Sequence, residues 1–254
     1  MNRRRRILLG GGGSAPFTPA SISGLMSWYD ASDTATITDA GAGAVSQWND
    51  KSGNGFHVSQ GTALFRPTTG TRTVNSLNVI DFDGTNDSLI RTFADTTSYL
   101  ANKDAATQFC VMLFEAGNYL TAYTTASGSA PLVGLKAEGG TIGKMRSADG
   151  SFYTSTGSIV ASNVGIVALR AQRNAVPTLY NNGSAKTISG TCTDFPFTPV
   201  TNQEICLGSL NQGFGYFNGC IAEHITYDSY LSNANTNLVA NYLKDKWAAT
   251  WVDI

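Results

Sequence analysis

The run Leu179-Tyr180-Asn181-Asn182-Gly183-Ser184 constrains this chain more than any other stretch. Asn-Gly between extended segments favours a type I′ turn, whose twist matches that of the strands it joins. A tight antiparallel hairpin is therefore expected, with Ser184 to Ile188 as the returning strand. The same punctuation recurs along the chain. Gly24 to Asp30 reads as a first strand carrying aromatic bulk, and Asp30 and Asp33 mark a turn. Val45 to Trp48 runs into the dense turn signal Asn49-Asp50-Lys51-Ser52-Gly53-Asn54-Gly55. Leu77 to Phe82 is a strand ended by Asp83-Gly84, and Ser88 to Arg91 resumes the pairing. Gln108 to Phe114 is a near-continuous apolar run, suited to a central strand buried on both faces. Within Gly165 to Arg173, Val167, Leu169 and Ala171 alternate to one side. Glu204 to Leu207 and Phe217 to Tyr227 complete the strands, and alternation assigns Phe217, Ile221, Ile225 and Tyr227 to a single face.

The last element changes period. After Ser232 as N-cap, Leu238, Val239, Tyr242, Leu243 and Lys246-Trp247 recur at helical spacing. One amphipathic helix is expected to cover an end or edge of the sheets. About a dozen strands between turns argue for a β-sandwich over a parallel α/β sheet. At 254 residues such a sandwich is normally one domain with a core that needs no metal or disulfide staple. The net charge of −1 offers no field to attract nucleic acid. No segment approaches the roughly 18 apolar residues of a membrane span.

Residues 1–15 read differently from the rest, which sets the domain at 16–254. Arg3, Arg4, Arg5 and Arg6 are followed by Ile7, Leu8 and Leu9 and then by Gly10 to Gly13. Three apolar residues are too few for the about 7–15 of a secretory signal. A solvated tail, a nucleic-acid contact and an anchoring arm are the three readings. Nothing aromatic is interleaved for base stacking, and an arm docking on other proteins takes best advantage of guanidinium forks beside an apolar hook. The cysteines Cys110, Cys192, Cys206 and Cys220 form no CxxC pair and have no histidine nearby in sequence. They are expected as small buried side chains, with one cross-strand disulfide among the last three left open.

Several motifs together resemble a known family. Trp28-Tyr29-Asp30-Ala31-Ser32-Asp33, Trp48-Asn49-Asp50-Lys51-Ser52-Gly53-Asn54-Gly55 and Phe82-Asp83-Gly84-Thr85-Asn86-Asp87 resemble the opening of laminin-G-like domains. Phe217-Asn218-Gly219-Cys220-Ile221-Ala222-Glu223, Tyr227-Asp228, Leu231-Ser232 and Tyr242-Leu243-Lys244-Asp245-Lys246-Trp247 resemble their end. The resemblance implies an all-β, concanavalin A-like antiparallel jelly roll. The version with a short basic N-terminus and Ala31-Ser32-Asp33 is similar to structural proteins of tailed bacteriophages. It implies a head or tail decoration or fibre protein on the virion surface, held to capsid or tail subunits through its arm. Host-surface glycans are the further partner it implies. A soluble carbohydrate-binding module or glycanase relative is the alternative, because a fold alone does not set a function.

Chemistry is sparse. Glycanases of this fold carry paired glutamates on one strand, whereas Glu115, Glu138, Glu204 and Glu223 are the four glutamates here and no two share a strand. Glu223 is expected as a hydrogen-bonded structural residue, with His224 on the opposite strand face and His57 in a short strand after the Gly-Asn-Gly turn. No enzyme is expected. Tyr119, Tyr123, Phe214 and Tyr216 lie in Gly/Ser/Thr/Asn-rich stretches, as candidate glycan contacts or as loop packing. Asp83 and Asp87 are candidate calcium ligands, but the turn itself calls for Asp and Gly.

Overall fold

A computed structural model describes residues 16–94, 99–100, 102–117, 119–125, 133–138, 141–146, 152–153, 155–156, 164–188, 202–210 and 215–254. Arg3 to Leu9, the expected anchoring arm, lie outside the described residues. In chain order the strands begin with β1 (Leu25–Asp30), β2 (Ile37–Asp39), β3 (Val45–Trp48), β4 (Val58–Ser59), β5 (Thr68–Val74) and β6 (Leu77–Asp83). Next come β7 (Leu89–Phe93), β8 (Ala105–Gly117), β9 (Tyr119–Thr125), β10 (Val133–Glu138), β11 (Thr141–Arg146) and β12 (Phe152–Tyr153). The series closes with β13 (Ser155–Thr156), β14 (Gly165–Gln172), β15 (Thr178–Asn181), β16 (Ser184–Ile188), β17 (Gln203–Leu207) and β18 (Phe217–Tyr227), followed by helix α1 (Asn233–Trp247).

The strands form two antiparallel sheets. The first runs β13-β16-β15-β14-β8-β18-β6-β5, with β1 also paired to β18. The second runs β12-β11-β10-β9-β17-β7-β4-β3-β2. Between them lies a core that includes Trp48, Val58, Leu89 and Leu207 from the second sheet and Tyr29, Ile80, Val167 and Ile221 from the first. A second apolar cluster lies on the other face of the first sheet. There Phe109, Val111, Ile166 and Ala168 pack with Val239, Ala240, Leu243 and Trp247 of α1. The helix thus covers a sheet face, where an edge or end was expected. The reason is visible in β8 and β14, whose residues are apolar on both sides and would otherwise face water on one.

Strand β18 organises the first sheet. One edge pairs with β8 from Phe217 to Tyr227, while the other is shared between β6 at Asn218 to Ile221 and β1 at Glu223 to Tyr227. Between Ile221 and Glu223 the register shifts against β8. An extra residue in one strand reverses the alternation beyond it. Phe217 and Ile221 accordingly face the inter-sheet core, whereas Ile225 and Tyr227 join the helix-side cluster. The single face expected from alternation is therefore split in two.

Local signals hold elsewhere. Asn182 and Gly183 have φ of 54° and 81°, as a type I′ turn requires. A Cβ on Gly183 would also sit 1.8 Å from the Val252 carbonyl oxygen, so the C-terminal tail crosses tight over this hairpin. The Ser232 side chain accepts from Asn235 N at 3.2 Å, capping α1. Cys110, Cys206 and Cys220 are buried free thiols, and Cys192 lies outside the described residues.

Candidate functional site

The motif residues converge on one carboxylate. Glu223 Oε1 accepts from Trp28 Nε1 at 2.6 Å and from the Tyr242 hydroxyl at 3.0 Å. Its Oε2 accepts from Lys246 Nζ at 2.8 Å and Trp247 Nε1 at 2.7 Å. The side chain is fully buried under α1. Lys246 also pairs with Asp30 Oδ1 at 2.6 Å, and the other Asp30 oxygen meets Lys51 at 2.8 Å. Lys51 reaches Asp33 at 2.8 Å and lies over the Trp28 ring. β1, the loop after β3, β18 and α1 are thereby tied into one chain of alternating charges.

The electrostatics follow from burial and these partners. Desolvation pushes the Glu223 carboxyl above its ordinary value, opposed by the Lys246 ammonium and the Trp247 indole. At Asp30 desolvation is outweighed by hydrogen bonds from Lys246, Lys51 and Ser32, which hold it below its ordinary value. Buried charges are tolerable when every lone pair has a donor. Glu223 has four donors, so it has no lone pair directed at a substrate. Asp50 is occupied in the same manner. It accepts from Trp28 N, Ser52 N, the Ser52 hydroxyl and Phe56 N, fastening the Asn49–Gly55 loop to β1. His57 lies just before β4, outside any strand, and its Nδ1 accepts from Asp50 N at 3.0 Å.

His224 points the other way, its ring 6.1 Å from that of Tyr29. Neither ring nitrogen has a hydrogen-bond partner among the described residues, and burial pushes its pKa down to about 3. A neutral, inaccessible imidazole cannot exchange protons with a ligand. The remaining glutamates lie apart. Glu115 pairs with Arg72 at 2.7 Å, and Glu204 accepts from the Thr92 hydroxyl at 3.1 Å, while Glu138 belongs to β10.

Asp83 and Asp87 are brought together, but around their own turn. Asp87 Oδ2 accepts from Asp83 N at 2.9 Å, and Asp83 Oδ1 accepts from Thr85 N and Asn86 N. Burial pushes the Asp87 carboxyl up to about 7. Among the described residues no group of three or more His, Cys, Asp or Glu could hold a metal ion. Tyr119 and Tyr123 belong to β9 of the second sheet and not to a rim loop. Tyr216 is partly buried ahead of β18, and Phe214 lies outside the described residues.

Several concave surfaces of about 330–620 Å³ lie among the described residues, two of them on the sheets. A cleft of about 620 Å³ lies beside the C-terminal end of α1, between β5, β14 and the β15–β16 hairpin. A shallower groove of about 390 Å³ runs over β3, β4 and β7, lined by Gln47, His57, Ser59, Gln60 and Thr92. Sequence reasoning singled out neither.

No protein-family model and no characterised protein matches the sequence. Solved structures match its fold. A Trypanosoma rangeli sialidase in complex with sialic acid is similar over 92% of this chain, with a TM-score of 0.63 and 16% identity. This chain spans only 36% of that enzyme. Domain 4 of AbnA, a GH43 extracellular arabinanase from Geobacillus stearothermophilus in complex with arabinotriose, matches 85% of this chain and 97% of its own, with a TM-score of 0.56 and 14% identity. The receptor-binding domain of botulinum neurotoxin D matches 89% of this chain and 54% of its own, with a TM-score of 0.56 and 13% identity. At these identities the likeness establishes a β-sandwich fold.

Proposed function

We propose that this chain is a non-enzymatic, lectin-like display module of the concanavalin A-like class, which binds glycans weakly and performs no chemistry on them. The observation that carries this reading is the occupancy of Glu223. The buried carboxylate at the centre of the family-like motifs spends both oxygens on Trp28, Tyr242, Lys246 and Trp247. Most glycoside hydrolases use two carboxyls facing each other across room for a sugar, sialidases with a tyrosine nucleophile being an exception. Asp30, the acid nearest in the network, shares Lys246 with Glu223 and is itself buried. The neighbouring arabinanase domain, almost all of which this chain matches, was solved with arabinotriose. That supports saccharide binding as the task of the sandwich.

On this reading the arm of residues 1–15 tethers the sandwich to a virion head or tail, as the phage-like motifs imply. Deleting residues 1–13 then abolishes virion occupancy while the sandwich still folds, and unchanged occupancy contradicts the tether. The lectin-like reading is tested by screening the purified chain on a glycan array and in a reducing-sugar release assay. Binding without release is expected. Release of sugar that is lost in Glu223→Gln would overturn it, and so would the absence of binding to every glycan at millimolar concentration.

A further inference from the structure

Arg91 differs from four other arginines of the chain. Arg66, Arg72, Arg170 and Arg173 each direct the guanidinium at a protein oxygen. Arg91 is exposed, and among the described residues it makes neither an ion pair nor a hydrogen bond. Its guanidinium carbon instead lies 5.6 Å from the centroid of the Phe93 ring. Phe93 is itself fixed, stacked on Tyr99 at 6.0 Å and edge-on to Phe56 at 5.5 Å. A guanidinium resting on an anchored ring has less freedom to lose when an acceptor arrives.

Arg91 lines the groove over β3, β4 and β7, and other groups there are also unspent. His57 Nδ1 accepts from Asp50 N at 3.0 Å, which places the proton of the neutral ring on Nε2. That N–H has no partner among the described residues and is not one of the atoms closed off from solvent. Gln47 donates its amide to Asn49 at 2.6 Å and keeps Oε1 as an open acceptor, while Ser59 offers an exposed hydroxyl. Thr92 is committed to Glu204, and Gln60 to Ser88 and Thr62. The groove, of about 390 Å³, thus combines a cationic fork with an N–H, a hydroxyl and an amide oxygen, in the size range of a small-ligand site.

These groups select the ligand's chemistry. A guanidinium fork matches the two oxygens of a carboxylate, and the three neutral groups match hydroxyls. An acidic sugar presents both on one ring. We propose that this groove binds a carboxylate-bearing sugar, with the carboxylate on Arg91 and sugar hydroxyls on His57 Nε2, Ser59 Oγ and Gln47 Oε1. The proposal rests on the lectin-like reading and adds the place and the charge class.

The test is calorimetric titration of the full chain with 3′-sialyllactose and trigalacturonic acid, set against the neutral counterparts lactose and maltotriose. At least one acidic sugar is expected to bind about tenfold tighter than its counterpart, a difference of about 1.4 kcal/mol. Which of the two binds distinguishes a sialic acid from a uronic acid. Arg91→Met is expected to remove the preference. Ser59→Leu, at an exposed strand position, places an apolar side chain in the groove and should weaken the acidic sugar about tenfold. Both variants should keep thermal midpoints close to wild type. Thr73→Leu, in the cleft beside the end of α1, should leave binding unchanged. A preference that survives Arg91→Met and Ser59→Leu, or is lost in Thr73→Leu, overturns the groove and leaves the lectin-like reading intact. Equal or tighter binding of the neutral counterparts, or array binding confined to neutral glycans, overturns the charge class. Wild type that binds none of the four sugars, and nothing on the array, defeats both.

Discussion

Glu223 and His224 are adjacent on β18, both are buried, and they have opposite fates. Glu223 faces α1 and receives four hydrogen bonds, two from indoles, one from a phenol and one from an ammonium. His224 faces the inter-sheet core and receives none from described residues. The helix-side cluster is therefore held by a connected polar network laid into apolar packing, while the inter-sheet core has only separate hydrogen bonds among its described residues, such as Ser27 with Tyr99 and Tyr29 to the Phe56 carbonyl, and keeps its imidazole neutral. A network that is complete specifies geometry, and here it sets where α1 crosses the sheet. A lone buried imidazole specifies nothing of that kind and leaves the fold sensitive to acid.

The largest expected effect breaks this contrast most directly. Glu223→Ala leaves the Trp28, Tyr242 and Trp247 donors without their acceptor and Lys246 with Asp30 alone, and by analogy with broken buried pairs should cost about 3–5 kcal/mol in urea unfolding. His224→Leu should be neutral or stabilising, because it removes an unpartnered polar group and keeps the volume roughly. Equal losses in the two variants would dissolve the comparison.

Next comes acid. With His224 at about 3 in the folded chain and 6.5 as its ordinary value, the unfolded chain binds a proton that the folded chain does not. Stability should fall as pH drops from about 6.5 towards 3, by up to about 1.4 kcal/mol per pH unit. His224→Leu should show a flatter profile by that amount in matched urea titrations. Two smaller effects ask how far the ends of the helix side help the lock. Gly183→Ala, at φ of 81° and against the Val252 carbonyl, should cost on the order of 1–3 kcal/mol. Ser232→Ala should cost about 1 kcal/mol through the lost N-cap, read as a shift in the thermal midpoint.

Much of this fold was legible from the chain. Val45 to Trp48, Ser184 to Ile188 and Phe217 to Tyr227 coincide with observed strands, and Ser232 with the observed cap. These segments carry their own evidence, in apolar runs bounded by Asn-Gly, Asp-Gly or a capping serine. Thr68–Val74 does not. It is a half-exposed edge strand rich in threonine, with no alternation to read. The bulge at Ile221 to Glu223 was equally hidden, since an inserted residue leaves no mark in composition. The lock residues were singled out as motifs, but Trp28 and Glu223 meet across 195 positions of sequence. Only the pairing of β1 with β18 makes them neighbours.

The central claim is that the acids of these motifs hold the helix to the sheet. A double-mutant cycle between Glu223→Gln and Lys246→Met, followed by urea unfolding at neutral pH, tests it most directly. Coupling of about 1–3 kcal/mol is expected, as for residues sharing one buried network. Additive effects within about 0.5 kcal/mol would contradict it, since independent sites behave that way.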